Sequence, residues 1–472
     1  MRKSRGQRKS QEGKQLSLFS PATKAPSQPP IGGTEKGTEQ VVELLSGLER
    51  QRTLTGQVLE QIVDYGNLKR AYEQVRRNGG AAGVDEMEVA TLRSWLGKNI
   101  NQLRQCLLEE CYQTSAVRKV EIPKPNGGIR TLGIPTAKDR MVQQSMHQVL
   151  TLYYDPHFSE SSFGFRPGRS AHQAVQQAAQ YISEGREWVV DIDLEKFFDK
   201  INHDRLMQRL SKGIGDKRLL RLINAFLKAG LMEGGLVEQR IAGTPQGGPL
   251  SPLLSNIVLD ELDKELEKRG HKFCRYADDC NIYVSSQKAG ERVMASVIKF
   301  IEKKLKLKVN RSKSGVRHCS EVKFLGYTIL PEGDIRVADK SLERLKDKVR
   351  QISRRNRGVE FSQVIKELNA ITTGWTNYFR LANKWLSQLK EIDRWLRRRL
   401  RCYRLKQCRR KYTIFKLLHG LGMPEPQSWY VAMRSQGWWD MSNRLAVRLA
   451  MDNEWFAQKG LRSLYTELTG KS

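Results

Sequence analysis

The sequence predicts an α+β fold, with short antiparallel strands and helices up to about residue 335 and helices alone beyond it. Three observations lead to this prediction. The segments 188–194 and 273–284 have the apolar, β-branched and aromatic composition of buried strands. The segment 118–130 carries the turn dipeptide Asn126-Gly127 and prolines that suit an edge strand. From residue 336 on, apolar residues recur at helical spacing.

The charge balance points to a polyanionic partner. Lys and Arg outnumber Asp and Glu by 82 to 51 among 472 residues, which gives a net charge of +31. Nucleic acid is the usual partner of such a chain. A basic face against a membrane surface is the alternative, although no strongly amphipathic membrane-type helix stands out. Charge alone does not separate RNA binding from DNA binding.

The composition argues against membrane-spanning and disulfide-rich classes. No run of about 18 apolar residues is present, and the basic N-terminus has no apolar stretch behind it. The seven cysteines are scattered, without a Cys-x-x-Cys pair. We therefore expect a reduced protein of the cytoplasm with no disulfide framework, no zinc site and no membrane partner.

The most informative strand pair carries two adjacent acids at its turn. Residues 273–284 predict a strand, a tight turn and a second strand, with Asp278 and Asp279 at the turn. Adjacent carboxylates repel each other, and a divalent cation such as Mg²⁺, which takes oxygen ligands, would neutralise them. The alternative is that Asp-Asp is simply a good turn dipeptide.

A second acidic strand favours the metal interpretation. Residues 188–194 predict a buried strand that carries Asp191 and Asp193 on one face. Burying a bare carboxylate is expensive, so a cation is expected beside them. Strand and turn acids together suit a phosphoryl-transfer site with two metal ions roughly 3.5–4 Å apart. The spacing leaves open whether Asp191 or Asp193 is the ligand.

The remaining elements follow in chain order. Residues 1–54 are polar and predict a flexible basic arm, and a helical pattern runs over 55–78. Arg118, Lys124 and Arg130 are six residues apart in turn, so regular strands would place them on one face suited to a triphosphate. A solvated basic hairpin is the alternative.

Helices alternate with glycine-bearing loops between these strands. A helix is predicted over 139–154, and a loop with Arg166 and Arg169 follows it, ending at a helix that Ser170 caps. Arginines in such a loop suit phosphate contacts or merely face solvent. A glycine-proline loop then enters a helix over 253–268, and another helix covers 291–305.

Three apolar stripes with short connections over 336–410 predict a three-helix bundle with basic outer faces. The basic residues on these faces include Arg350, Arg354, Arg397 and Arg398. They are suited to binding nucleic acid, or they simply form a solvated surface. Residues 411–472 predict a small helical region rich in tryptophan and arginine. Only Cys402, Cys408 and His419 lie in or near this region, and they lack the spacing of metal ligands.

These motifs resemble a known family. The segments Asp193-Leu-Glu-Lys-Phe-Phe-Asp199, Gly243-Thr-Pro-Gln-Gly-Gly-Pro-Leu-Ser-Pro252 and Tyr276-Ala-Asp-Asp279 resemble the ordered motifs of reverse transcriptases. More narrowly, the chain from about Leu68 onward resembles the reverse transcriptase and maturase proteins that bacterial group II introns encode. Gly374-Trp-Thr-Asn-Tyr-Phe379 resembles the family's maturase signature.

The resemblance implies a right-hand polymerase fold. Residues 55–335 would form the fingers and palm, an antiparallel sheet plus helices, and 336–410 the three-helix-bundle thumb, or maturase domain. Residues 411–472 would form a small helical DNA-binding-like domain, in a form of the family that lacks the C-terminal HNH endonuclease. How priming is then achieved is left open.

The resemblance also implies roles for individual residues. The metal ligands and catalytic acids would be Asp193, Asp278 and Asp279. In the family a bulky aromatic residue lies a few positions after the strand ligand, and Phe197 and Phe198 follow Asp193 in this way, so the resemblance favours Asp193 over Asp191. Phe197 would exclude ribonucleotides as a steric gate. The other implied nucleotide contacts are Lys124, Arg130, Gln246 and Lys313. The implied nucleic-acid contacts are Arg118, Arg166, Arg169, Arg350, Arg354, Arg397 and Arg398.

The function implied is RNA-directed DNA synthesis with two Mg²⁺ ions, combined with binding and splicing of a group II intron RNA during retrohoming. The partners would be that intron RNA, a target DNA and dNTPs, in the bacterial cytoplasm near the nucleoid. Two alternatives stay open. One is a domesticated reverse transcriptase of this type acting in DNA repair or defence, and the other is a purely RNA-binding splicing factor.

Overall fold

The computed structural model describes residues 57–123, 129–233, 236–238, 243, 247–382, 386–434 and 437–469. The predicted N-terminal arm, Lys124 and Gln246 lie outside these ranges. Within them, the chain has the α+β composition expected from its sequence. None of the described helices combines the length and the apolar composition needed to cross a membrane.

The first helices form where the sequence places helical spacing, but the pattern over 55–78 is broken. Its described part forms two helices, Val58–Ile62 and Tyr65–Asn78, since Asp64 caps the second helix by accepting a hydrogen bond from the Asn67 amide. A third helix covers Val89–Leu108. The buried faces of these helices belong to the main apolar core.

A four-stranded sheet of order β2-β1-β4-β5 contains the predicted basic hairpin. Its strands are β1 (Val117–Pro123), β2 (Ile129–Ile134), β4 (Leu231–Glu233) and β5 (Leu236–Glu238). β1 and β2 pair antiparallel, with Arg118 opposite Ile134 and Arg130 opposite Ile122. Positions 118 and 130 therefore fall on the same face of the hairpin, as the six-residue spacing predicts.

The central sheet has the order β6-β7-β3-β8 and is antiparallel throughout. Its strands are β3 (Trp188–Ile192), β6 (Lys272–Tyr276), β7 (Asp279–Val284) and β8 (Gly315–His318). The two acidic segments of the sequence are thus neighbours, because β3 pairs directly with β7. Val190, Ile192 and Ile282 are almost fully buried and join this sheet to the apolar core.

Helices supply the rest of that core. Several start or end near the predicted bounds, and Ser170 caps its helix through a capping box with Gln173. The helix expected over 291–305 begins earlier and passes into a π-helical turn. The helices of this part are Ala137–Tyr154, Ala171–Ser183, Phe197–Lys200, His203–Gly213, Lys217–Lys228, Ser251–Lys268 and Gln287–Phe300.

A small hairpin of β9 (Tyr327–Ile329) and β10 (Ile335–Val337) precedes the helical part of the chain. The three stripes predicted over 336–410 form helices at Asp339–Ile352, Phe361–Tyr378 and Leu386–Cys408. Shorter helices follow at Lys411–Gly420, Glu425–Met433, Trp438–Met441, Leu445–Ala450, Asn453–Gln458 and Leu464–Thr469.

The described residues divide into two compact units. One contains residues up to 351 together with 379–391, and the other contains 352–378 together with the described residues from 392 on. The chain passes between units near 351, 378 and 391, whereas the sequence suggests domain boundaries at 54, 335 and 410.

Within the second unit, the C-terminal helix is tied to earlier helices. Leu464 donates its amide to the Asp393 carboxylate at 3.1 Å, and Thr376 donates its hydroxyl to Glu467 at 3.0 Å. Arg401 is buried and donates to the Ser442 carbonyl at 3.0 Å. Residues after 410 therefore pack as part of this unit.

Candidate active site

The paired acids lie at the tip of the β6–β7 hairpin. Tyr276 pairs with Asp279, so the turn itself consists of Ala277 and Asp278. The prediction of an acidic turn is confirmed, with Asp279 as the first residue of β7 rather than a turn residue. Ala277 has a φ of 57° in the left-handed region, which makes the reversal tight.

The register of β3 against β7 brings the third acid to the same end of the sheet. The last pair of this ladder is Ile192 with Cys280. Asp193 directly follows Ile192, and Asp279 directly precedes Cys280. Acidic residues from two segments that are far apart in sequence therefore lie at one sheet end.

A loop from 310 to 314 holds the backbone of Asp193 on both sides. Its amide donates to the Ser314 hydroxyl at 2.9 Å, and its carbonyl accepts a hydrogen bond from the Asn310 amide at 2.9 Å. The Lys313 ammonium lies 3.4 Å from the Asp193 carboxylate. Lys313, which the sequence suggested as a nucleotide contact, is thus beside the acidic cluster.

Asp191 lies farther back in the sheet. It pairs with Asn281 on one side and Gly315 on the other, and its carboxylate is 3.3 Å from Arg317. Both acids therefore have a cationic partner, but Asp191 lies within β3 between β7 and β8, whereas Asp193 stands at the sheet end beside the turn. The geometry therefore favours Asp193 as the metal ligand over Asp191.

Burial and neighbouring acids raise the pKa of Asp279 and of Asp191. Asp279 is an exposed residue, yet the protein packed around its carboxyl raises the pKa of that group to about 7, and the charges of Asp278, Asp191 and Asp193 add to this effect. Burial raises the pKa of Asp191 to about 6, with Asp193 adding and Arg317 opposing. Such a concentration of negative charge favours binding of a cation.

The donor set fits a divalent cation. Carboxylate oxygens are the ligands that Mg²⁺ and similar hard cations prefer. Across the described ranges, no three Asp, Glu, His or Cys side chains already point at a common centre as metal ligands. Asp193 instead faces Lys313, and Asp191 faces Arg317. The ligands that a cation would use are present, and the Asp193 carboxylate would have to turn from Lys313 toward it.

A buried arginine fixes the acidic turn. Arg275 has no exposed surface and forms two hydrogen bonds with the Asp263 carboxylate at 2.7 and 2.6 Å. It also donates to the Ala277 carbonyl at 2.9 Å, to the Asn256 side-chain oxygen at 3.0 Å and to the Ser162 hydroxyl at 2.7 Å. One side chain therefore joins the turn to a helix and to a loop.

That loop touches the turn through a glycine. The side-chain amide of Asn256 donates to the Gly164 carbonyl at 2.9 Å. A β-carbon at Gly164 would lie 2.3 Å from the Ala277 nitrogen, so only glycine allows this approach. Neither Arg275 nor Gly164 is among the site residues predicted from the sequence. The available signal was an arginine within the otherwise apolar strand 273–276.

Among the other predicted contacts, Arg166 has an internal role in this structure. Its guanidinium donates to the Asp155 carboxylate at 2.7 Å and to the carbonyls of Ser159 and Ser162 at 2.6 and 2.9 Å. It is 9% exposed. Arg166 therefore holds the loop together, and the template contact expected of it would require breaking these bonds. Arg169 lies closer to solvent, paired with Glu160.

The steric-gate assignment to Phe197 is corrected. Phe197 is 2% exposed and lies in the apolar core, so its ring has no free face for a nucleotide. The adjacent ring of Phe198 is only half-buried, and the two ring centroids are 5.3 Å apart. Phe198 is the member of the pair that retains accessible surface.

The basic residues of the hairpin and the helical part have different surroundings. Arg118 is half-buried, and the side chain of Arg130 lies outside the described part. Arg350 is paired with Asp347 at 2.6 Å, while Arg354 is exposed. Arg397 and Arg398 are half-buried, and burial lowers the pKa of Arg397. The Arg398 guanidinium carbon lies 4.1 Å from the centroid of the Trp439 ring.

Comparisons with known families agree with this site. Residues 122–329 match the reverse transcriptase (RNA-dependent DNA polymerase) family, and residues 342–418 match the group II intron maturase-specific domain. All three proposed metal ligands fall within the first match. A reverse transcriptase domain implies dependence on a divalent metal cation.

Individual relatives show the extent of the likeness. Protein YkfC of Escherichia coli (strain K12) is 33% identical over 54% of this chain and 78% of its own length. Group II intron-encoded protein LtrA of Lactococcus lactis subsp. cremoris is 30% identical over 55% of this chain and 54% of its own length. The chain thus matches only about half of LtrA.

Among solved structures, a partial Cas6-RT-Cas1–Cas2 complex contains a chain that is 29% identical, covering 52% of this chain and 42% of its own, with a TM-score of 0.34. That score is too low to support an argument, so the assignment rests on the family matches and on YkfC. The chain belongs to the reverse transcriptase family, in the group II intron type that carries a maturase-specific domain.

Proposed function

We propose that this protein is an RNA-directed DNA polymerase and a group II intron maturase. The observation that supports the polymerase activity most strongly is the β3–β7 register, which brings Asp193 beside the turn containing Asp278 and Asp279. Acids converging at the end of an antiparallel sheet are what two-metal nucleotidyl transfer requires.

In this proposal Asp193, Asp278 and Asp279 bind two Mg²⁺ ions. When bound, these ions activate the primer 3′-hydroxyl and stabilise the charge that develops on the transferred phosphate and the leaving pyrophosphate. Arg275 and the 310–314 loop hold the backbone at Ala277 and at Asp193 before substrate arrives, so that the Asp193 side chain has only to turn from Lys313. Such preorganisation lowers the cost of reaching the transition state.

Cationic residues around the acids hold the triphosphate. Lys313 lies 3.4 Å from Asp193 and is two-thirds exposed, so its ammonium can turn from that acid to a phosphate. Positions 118 and 130 share a hairpin face, and Lys124 is retained as a proposed nucleotide contact from its place in the sequence. Gln246 is retained as a proposed nucleotide contact.

Primer extension tests the proposed polymerase directly. The purified protein should extend a DNA primer on an RNA template with dNTPs and Mg²⁺, and EDTA should stop extension because it removes the divalent cations on which the proposed transfer depends. A template lacking a complementary primer is the control. If the protein binds this substrate at nanomolar to micromolar concentration but adds no nucleotide with Mg²⁺ or Mn²⁺, the polymerase proposal is wrong.

Phe198 should select against ribonucleotides. A bulky ring beside the sugar leaves no space for a 2′-hydroxyl. Phe198→Ala should therefore raise the relative use of ribonucleotides by roughly tenfold or more, the scale of a steric contact in a binding pocket. The measurement is the ratio of kcat/KM for dCTP and CTP on one primer–template.

Phe197→Ala is the matched control for this change. Its ring is buried in the core, so the substitution should cost about 3–5 kcal/mol of folding free energy and leave sugar selection unchanged. An increase in ribonucleotide use from Phe197→Ala alone would restore the original assignment.

The maturase activity and its partners complete the proposal. The maturase-specific domain spans residues 342–418, where exposed arginines such as Arg354 offer phosphate contacts. We propose a group II intron RNA as the ligand of this surface and a DNA target for retrohoming, which would bring the protein to the bacterial nucleoid. Dependence of splicing on the protein, measured with an intron RNA at physiological Mg²⁺, tests this.

A further inference from the structure

Phe165 adopts a backbone conformation that a bulky residue rarely takes. Its φ is 59°, in the left-handed region that favours glycine and asparagine. Its side chain is nevertheless 49% exposed, so burial of the ring does not offset the strain. Strained residues that packing does not explain are concentrated at functional sites.

The neighbours of Phe165 are fixed on both sides. The Phe163 amide donates to the Arg275 carbonyl at 2.9 Å, and Gly164 packs directly against the backbone of Ala277. On the other side, Arg166 is bonded to Asp155 and to loop carbonyls. These contacts determine the backbone of residue 165 and hold its ring outward.

The exposed ring lies beside the hairpin that carries the acids. The ring centroids of Phe165 and Tyr276 are 6.4 Å apart, with the planes tilted by 43°. Tyr276 immediately precedes the turn residues Ala277 and Asp278. Two aromatic rings therefore lie side by side next to the proposed metal ligands.

We propose that Phe165 and Tyr276 form an aromatic platform on which the primer–template duplex packs next to the primer 3′ end. This inference rests on the proposed polymerase function. The 3′-hydroxyl must reach the carboxylates of Asp193, Asp278 and Asp279, so the nucleic acid must cover the hairpin tip and the rings beside it. Aromatic rings contact bases and sugars with little sequence preference, which suits an enzyme that copies any template.

The test uses Phe165→Asn, because asparagine tolerates the left-handed conformation and removes the ring without adding strain. The dissociation constant for an RNA–DNA primer–template should rise by about tenfold, the scale of one lost aromatic contact, and products per binding event should shorten. The single-nucleotide rate at saturating primer–template should stay within about twofold. Phe165→Tyr retains the ring and should behave like the wild type.

Glu332→Asn is the matched backbone control. Glu332 is exposed, also has a positive φ (70°), and lies in the turn between β9 and β10 rather than beside the acids. The substitution should leave binding of the primer–template unchanged. An equal loss of affinity at Glu332 would show that the Phe165 effect is not specific to the platform.

The outcomes separate this inference from the proposed function. If Phe165→Asn binds and extends as the wild type does, the platform is wrong while the polymerase stands. If the wild type adds no nucleotide, the polymerase proposal is wrong. A loss of affinity in Phe165→Asn but not in Phe165→Tyr would then show that the ring contacts nucleic acid in a protein that does not synthesise DNA. If Phe165→Asn does not fold, Phe165→Leu provides the same measurement, and wild-type affinity in that variant overturns the platform.

Discussion

Asp278→Ala is expected to lower the rate of primer extension by on the order of a thousandfold or more, the largest effect of any substitution considered. Asp278 is one of the two turn residues at the end of the sheet, and Asp193 reaches the same end from β3. Removing one carboxylate from this set weakens cation binding at the point where charge develops in the transition state. Single-turnover extension at saturating dNTP measures the loss.

The same variant should retain RNA binding and splicing, because the maturase-specific domain covers residues 342–418 and does not include the turn. Asp204→Ala, which removes an exposed carboxylate from a helix start, is the matched control and should extend primers normally. Extension by Asp278→Ala at the wild-type rate would show that the acidic site is wrongly assigned. Loss of splicing together with extension would show that the two activities are not separable at this residue.

Arg275→Met should be the most destabilising of the site substitutions. It leaves the fully buried Asp263 carboxylate without its partner, and breaking such a buried pair costs about 3–5 kcal/mol. It also removes the donor that the Ala277 carbonyl accepts from. The free energy of unfolding from urea denaturation should fall accordingly, and extension should be strongly reduced.

A double variant separates stability from positioning. Arg275→Met with Asp263→Leu replaces the buried ion pair by apolar side chains, which should restore much of the stability. It does not restore the bonds to Ala277 and Ser162, so the Mg²⁺ concentration for half-maximal extension should stay above that of the wild type. We expect an increase of roughly tenfold, which corresponds to a loss of about 1.4 kcal/mol in the free energy of Mg²⁺ binding. Full activity of the double variant at the wild-type Mg²⁺ requirement would show that Arg275 is only structural.

Arg209→Met is the control for this pair. Arg209 binds Glu261 and the Val258 carbonyl on the helix that also carries Asp263, and neither of these bonds reaches the acidic turn. Its loss should lower stability moderately without changing the Mg²⁺ requirement.

The features that sequence predicts here are the local ones. Period-two and helical spacing, turn residues and caps identified β3, the β6–β7 hairpin and the Ser170 cap, because each depends on a few neighbouring residues. The acids at the sheet end were also predictable, since burying carboxylates in an apolar strand requires a compensating cation.

The features that sequence does not predict depend on distant partners. Arg166 lies in a glycine-bearing loop and looks ready for phosphate, yet its bonds to Asp155, Ser159 and Ser162 become visible only once the loop has closed. Phe197 and Phe198 are adjacent, and only the packing of the short helix between β3 and the core shows which ring is buried.

The role of Arg275 also depends on distant partners, which its position in the sequence does not identify. A single arginine in a strand carries no periodic signal, and its partners Ser162, Asn256 and Asp263 come from two other segments of the chain. The cost of burying a guanidinium indicates that such partners must exist, but not where they are.

The most direct test of the central claim is a crystal structure of the full-length protein with primer–template, an incoming dNTP and Mn²⁺ in place of Mg²⁺, with anomalous scattering used to locate the ions. The proposal requires manganese peaks bound by the carboxylates of Asp193 and of the Asp278–Asp279 turn, with the α-phosphate of the dNTP beside them. Peaks elsewhere, or a bound substrate whose α-phosphate lies away from these acids, would contradict it.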